Sequence, residues 1–155
     1  MKLQVAADWV EAPLKACVDD SRVRIAVLLH PTPHVLRQFG FTRSVDVVTA
    51  CALSAAIHAS AGELGRMLDG RPFEVLHYAG ATHQLFLGPV PVPGGTLLLL
   101  SVFDEETSFG LVQIYFKEFC AAVARVAPEW RGADTALATD FEAELNRNLS
   151  AMFGR

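Results

Sequence analysis

Apolar residues recur along this chain with two periods, helical in some stretches and strand-like in others, with turn residues between them. Residues 7–19 place Trp9, Val10, Leu14, Cys17 and Val18 on one side of a helix. Pro13 fits that helix only in its first turn or at a kink, and Ser21-Arg22 ends it. Residues 23–29 are apolar and β-branched, the mark of a first strand. His30-Pro31-Thr32-Pro33-His34 is a turn, and residues 35–41 are its hairpin partner. Residues 44–69 form the longest periodic segment. Ser44 or Asp46 can cap its start, and Gly70 suits the left-handed residue that closes a helix. Its apolar set includes Val48, Cys51, Ala52, Ala55, Ile57, Ala59, Leu64, Met67 and Leu68. Small residues dominate positions 50–65, so another backbone can approach closely.

The second half reads as three strands and a helix. Residues 72–78 are the third strand, Gly80-Ala81-Thr82 the turn, and residues 83–87 the fourth strand. Pro89, Pro91 and Pro93, with Gly94-Gly95, read as a stiff connection at a sheet edge or outside it, because proline cannot donate to a ladder. Residues 96–103 are the fifth strand; Leu97-Leu98-Leu99-Leu100 has no polar face and is expected to be buried on both sides. Asp104, Thr107 and Ser108 can accept from the free N–H groups of a helix start, and residues 108–126 are the last core helix, ended by Pro128. A linker follows at 128–139. In 140–155, Phe141, Leu145, Leu149, Met152 and Phe153 form one apolar stripe, and Glu142, Glu144, Asn146, Arg147 and Asn148 cover the rest of the helix. A tethered helix of this kind either folds back on its own core or docks in a partner's groove. The order is helix, two strands, long helix, three strands, helix: an α+β domain over 1–127 around an antiparallel sheet.

Composition adds a question about burial. The chain has 155 residues, 52% of them hydrophobic, and a mean hydropathy of +0.31, which is high for a small domain. No apolar run is read as reaching the roughly 18–20 residues of a membrane span; residues 45–62 come nearest and are interrupted by Asp46, Thr49, Ser54, His58 and Ser60. Some of the apolar surface is therefore expected to lie between subunits. The net charge is −4 with 13 Lys and Arg that form no basic cluster, which argues against nucleic acid as a partner. Cys17, Cys51 and Cys120 are widely spaced, and the N-terminus turns acidic before a signal-peptide core could form. A cytoplasmic chain with reduced thiols is expected.

Catalytic chemistry is hard to find. The phosphate loop Gly-x-x-x-x-Gly-Lys with Ser or Thr is absent, so the chain is not itself a P-loop GTPase. Gly62-Glu63-Leu64-Gly65 lies within a helix, Gly94-Gly95 opens a strand, and there is no Gly-x-Ser-x-Gly elbow. His30 and His34, with Asp19-Asp20, could hold a metal, but no third ligand has a fixed spacing and two turn histidines are the better reading. His58 is read as an interface or surface histidine. His77 and His83 flank one hairpin, where packing is the better reading. Asp104-Glu105-Glu106 reads as a complement to the positive end of the following helix. Cys120 reads as a core hydrophobe and Cys51 as facing a dimer seam. No catalytic residue, metal ligand or cofactor is assigned.

The junction Phe103-Asp104, Thr107-Ser108 and Gly110-Leu111-Val112 resembles the end of the last strand and the start of the last core helix in the Roadblock family, more narrowly its MglB-type members. The resemblance covers about residues 7–127. It implies the order helix-strand-strand-helix-strand-strand-strand-helix and a homodimer whose long helices pack together and whose sheets join edge to edge. It also implies a partner, an MglA-like Ras-family GTPase, engaged by one homodimer in bacterial cell polarity and gliding motility, in the cytoplasm and at the cell poles. GTP hydrolysis is then stimulated without an arginine finger: the GTPase is remodelled so that its own arginine and glutamine reach the phosphate and the water. Carried over, the partner-binding residues are Ala56, Ala59, Ser60, Glu63 and Met67, with Phe141, Leu145, Leu149, Met152 and Phe153 of the tail making a second contact that influences nucleotide exchange. The dimer interface falls on Ala52, Ala55, Phe73 and Val75. Glu63 stands where typical members carry a small residue. Two alternatives stay open: a non-activating adaptor of a polarity complex, and a small-molecule-binding or enzymatic α+β domain that uses its histidines.

Overall fold

The computed structural model describes residues 8–32, 34–40 and 46–127. A 3-10 turn at Asp8–Val10 leads into α1 (Glu11–Ser21). There follow β1 (Ile25–His30), β2 (His34–Phe39), α2 (Val47–Asp69), β3 (Leu76–Ala79), β4 (Gln84–Val92), β5 (Gly95–Phe103) and α3 (Phe109–Val126). The strands form one antiparallel sheet in the order β2-β1-β5-β4-β3. The α+β class and the element order are those the sequence predicts. The predicted ends at Phe41 and Ser44, the linker 128–139 and the helix 140–155 lie outside the described residues.

The strand period of two sorts side chains to two faces. Ala26, Leu28, Phe86, Val90, Leu97, Leu99 and Phe103 pack with Leu14 of α1 and with Val112, Phe116, Phe119 and Val123 of α3. Val27, Leu29, Leu87, Leu98 and Leu100 point the other way, where Cys51 of α2 packs on them. Leu97 to Leu100 are thus buried on both faces, as their unbroken run predicts.

Helix ends follow the local chemistry. The Asp46 carboxylate accepts from Val48 N at 3.0 Å and Thr49 N at 3.4 Å, and from the Thr49 hydroxyl at 2.6 Å. Gly70 closes α2 at φ 73°. Ser108 Oγ accepts from Leu111 N at 3.3 Å and starts α3. Pro13 sits in the first turn of α1, where its missing N–H costs no intrahelical bond.

Four expectations are corrected. β4 does not stop at Leu87 but continues through Pro89 and Pro91 to Val92, paired with β5 as far as Val92–Gly95. β3 covers β4 only from Gln84 to Leu87, so the prolines lie beyond its end with one side of the strand open. Prolines at i and i+2 put both missing donors on the same side, which an open edge tolerates. β3 begins at Leu76, not residue 72, because residues 71–73 are packed against α2. Asp104 does not cap α3. It accepts from Glu106 N at 3.0 Å and from Arg24 Nε at 2.8 Å, and pins the end of β5 to the chain entering β1. The Glu106 amide and the Arg24 guanidinium hold its carboxyl below the usual range. Finally, α2 is long and apolar enough, by length and composition, to cross a membrane. Its many alanines score as apolar without needing burial.

Candidate functional site

α2 is a single helix laid on one face of the sheet, and it is apolar nearly all round. Its inner side buries Cys51, Ser54, Gly62 and Gly65. Ser54 Oγ donates to Ala50 O at 2.7 Å, so this buried hydroxyl is satisfied within the helix. The glycines allow close approach of the chain that follows. A Cβ at Gly65 would lie 2.4 Å from Phe73 N and 2.6 Å from Arg71 O. The outer side is open: Met67 is 80% exposed, Val48 68%, Leu68 66%, Leu53 58% and Leu64 50%. Helical spacing divides that side into two flanks. Ala52, Ala56, Ala59 and Glu63 follow one row, and Leu53, Leu64 and Leu68 another.

The sequence-predicted partner residues Ala56, Ala59, Ser60, Glu63 and Met67 are all exposed on this outer side, as is Ala52 of the predicted dimer set. Ala55 is half-buried. Phe73 and Val75 lie outside any strand, Phe73 half-buried and Val75 exposed, just before the edge strand β3. Phe141, Leu145, Leu149, Met152 and Phe153 lie outside the described residues. The fold brings Ala59 and Glu63 together with Phe73: all three line a cleft of about 390 Å³ between α2, residues 72–74, Pro89 and Thr96. Glu63 forms an ion pair with Arg66 one turn on, so this carboxylate has a partner within the chain.

Sequence reasoning missed how much of this surface is open. Leu64 and Leu68 belong to the apolar set that the sequence predicts for the long helix, and both are exposed. The available signal was that α2 carries more large apolar residues, at Val48, Leu53, Leu64, Met67 and Leu68, than the row facing the sheet can cover. The expectation that Cys51 faces a dimer seam is also corrected: it is fully buried under α2 against the sheet, because its row faces inward with Gly62 and Gly65.

His58 lies on the inner side of the cleft, half-buried, and burial lowers its pKa below the usual 6.5. A lowered pKa means that the folded chain resists protonation there. The resulting stability is complete above about pH 6.5 and is lost as pH falls below it. Replacing His58 by Gln should flatten the fall in stability as pH drops below about 6.5. Equal slopes for the two proteins in urea melts would count against this reading. Asp46 and Asp104 also have lowered pKa values, but they act in the carboxylate range, at lower pH.

The other histidines serve local structure. His30 Nδ1 lies 2.6 Å from Thr32 Oγ1, and His34 Nδ1 lies 2.5 Å from Thr32 O. His77 stacks on Phe109 with ring centroids 4.2 Å apart, and its Nε2 lies 2.7 Å from Gln84 Oε1. His83 pairs with the Thr82 hydroxyl at 2.9 Å. Among the described residues no three His, Cys, Asp or Glu side chains gather to hold a metal ion. Burial pushes the Cys17 thiol up to about 12 and the Cys120 thiol up to about 11, so both stay protonated and unreactive at neutral pH.

No protein-family model and no curated protein sequence matches the chain. Solved structures do. MglB of Myxococcus xanthus is similar at a TM-score of 0.66 and 21% identity, with 83% of this chain and 90% of that one covered. The gliding protein MglB of Thermus thermophilus aligns at 0.68 and 24% identity, over 80% of this chain and 92% of that one. A Roadblock/LC7 domain from Streptomyces avermitilis aligns at 0.60 and 18%, over 75% and 92%. The five-stranded antiparallel sheet with its three helices is the Roadblock/LC7 fold.

Proposed function

We propose that this chain is an MglB-type Roadblock protein, a cytoplasmic homodimer that binds an MglA-like Ras-family GTPase and stimulates its GTP hydrolysis. The observation that carries this reading is the open outer side of α2, whose large apolar residues lie above a sheet ending in the short edge strand β3. Apolar side chains on that scale mark a protein interface, and an uncovered edge strand invites a second strand. In the dimer, Leu53, Leu64 and Leu68 are covered beside Ala52 and Ala55, and Phe73 and Val75 lie where the two sheets meet. The flank of Ala56, Ala59, Ser60, Glu63 and Met67 faces the GTPase, and residues 140–155 supply the second contact.

The chain works on its partner's reaction and carries none of its own. It holds no phosphate loop, so nucleotide and magnesium belong to the GTPase. Arg66, the cation beside the cleft, is already paired with Glu63 and is not offered as a finger. Activation then comes from fixing the switch segments of the GTPase so that its own arginine and glutamine meet the phosphate and the attacking water. A finger supplied in trans would instead be worth about 10³–10⁵ in rate.

Glu63 favours a second reading, an adaptor that binds without activating. Glu63, ion-paired with Arg66, stands where the family resemblance implies a small residue. The test is phosphate release by the cognate GTPase, with and without this chain at two protomers per GTPase. Strong acceleration supports the activator. Binding without acceleration supports the adaptor. The absence of both would remove the GTPase from the proposal.

A further inference from the structure

α1 and α3 cover the sheet face opposite α2, and a groove of about 410 Å³ runs between them. Its lining is mostly apolar: Ala16 and Cys17 from α1; Tyr115, Phe119 and Ala122 from α3. The groove follows α3 from Tyr115 to Arg125, a length of about 15 Å at the helical rise. Ile114 is 56% exposed and lies one turn before Glu118 in the row that continues to Ala121 and Arg125, so it adds an apolar residue at the groove's far end; the charged Asp20 and Glu118 also line the groove. The sheet separates this groove from the outer side of α2. A dimer or a partner seated on α2 therefore leaves it open.

The occupant follows from where the chain goes next. Arg125 lines one end of the groove, and α3 ends one residue later at Val126. Residues 128–139 contain Pro and Gly, and a chain of that length reaches at most about 40 Å, well beyond the length of the groove. After that stretch comes the apolar stripe of Phe141, Leu145, Leu149 and Met152. As a helix, this stripe measures about 16 Å from first to last residue, nearly the length of the groove. Short tethers give effective concentrations of about millimolar, so even weak affinity keeps such a helix seated.

We propose that residues 140–153 dock in cis along the groove between α1 and α3 and are held there until a partner competes for the same stripe. Five large apolar side chains are thereby covered by the chain's own groove. The tail becomes available only to a ligand that binds it more tightly than that groove does. This inference does not depend on the partner being a GTPase, and it is tested on the chain alone.

The experiment is amide hydrogen exchange read by mass spectrometry on the full chain over a wide range of protein concentration. Residues 140–153 should exchange about tenfold or more slowly than a free peptide, at every concentration. Leu145→Asp with Leu149→Asp should abolish that protection and speed exchange in the peptides covering residues 115–125. Ala121→Arg, at an exposed position in the groove, should release the tail while leaving α2 as protected as before. Free-peptide exchange of 140–153 in the full chain would overturn the proposal. So would protection that vanishes on dilution, which would place the tail on a second copy. Release of the tail by the double substitution with no change along 115–125 would place its seat elsewhere, and would overturn it equally.

Discussion

Gly65→Ala is expected to be destabilised by about 2–3 kcal/mol while Gly62→Ala is neutral or slightly stabilised. Both replace glycine with the best helix former inside the same helix, which by propensity alone gains about 1 kcal/mol. What separates them is what a methyl group would meet. At Gly62 the nearest atom is Pro72 Cβ at 3.8 Å, an ordinary contact. At Gly65 all three nearest atoms are backbone: Phe73 N at 2.4 Å, Arg71 O at 2.6 Å and Pro72 C at 2.9 Å. Backbone cannot swing aside as a side chain can. The methyl group must therefore lift residues 71–73 off α2.

The consequences reach beyond stability. Phe73 is part of that segment, and Val75 follows it into β3. Gly65→Ala should therefore lower the melting temperature by about 5–10 °C and, on the proposed dimer, weaken self-association. Thermal melts and mass measurement on the two glycine variants side by side decide the matter. Equal melting temperatures would mean that the segment after α2 yields at little cost.

What could be read from the sequence was what local chemistry decides. Asp46, Gly70 and Ser108 act at helix ends through their own side chains or their own backbone freedom, and all three are where the pattern puts them. The double-sided burial of Leu97 to Leu100 follows from a run with no polar position. The misreadings came where distant chain decides. Pro89 and Pro91 look like a break until the short β3 is seen to end at Leu87's partner, leaving the strand edge open beside them. Residues 72–75 have strand composition, but the glycines of α2 draw residues 71–73 onto the helix instead. Asp104 looks like a cap until Arg24, eighty positions earlier, is seen beside it.

The candidate surface was half legible for the same reason. Small residues along α2 showed that something approaches it closely. The structure divides them, giving Gly62 and Gly65 to residues 71–73 of the same chain and Ala52, Ala56 and Ala59 to the outside. A periodic pattern reports which residues share a face; it does not report which face the sheet takes. With one sheet and one covering helix, only Cys51, Ser54 and the two glycines are buried along α2, and Leu53, Leu64 and Leu68 remain exposed.

On the proposed reading, Ala59→Arg should lower affinity for an MglA-like GTPase by about thirtyfold or more, the scale of a central interface position, without unfolding the chain. Ala59 is exposed and lines the cleft beside Glu63 and Phe73, so the long side chain extends into solvent in the free protein. It can also pair with Glu63 one turn on, which compensates the fold and not the interface. In the proposed contact the long side chain would hold the partner off, and seating it would desolvate a charge. Ala59→Ser adds one hydroxyl and should cost far less, so the contrast between the two separates bulk from the mere loss of alanine. Mass measurement must show that Ala59→Arg still dimerises, because Ala52 of the dimer set lies in the same helical row. Retained affinity in a dimeric Ala59→Arg would remove the alanine flank from the GTPase contact. Loss of both would mean that one row serves both contacts.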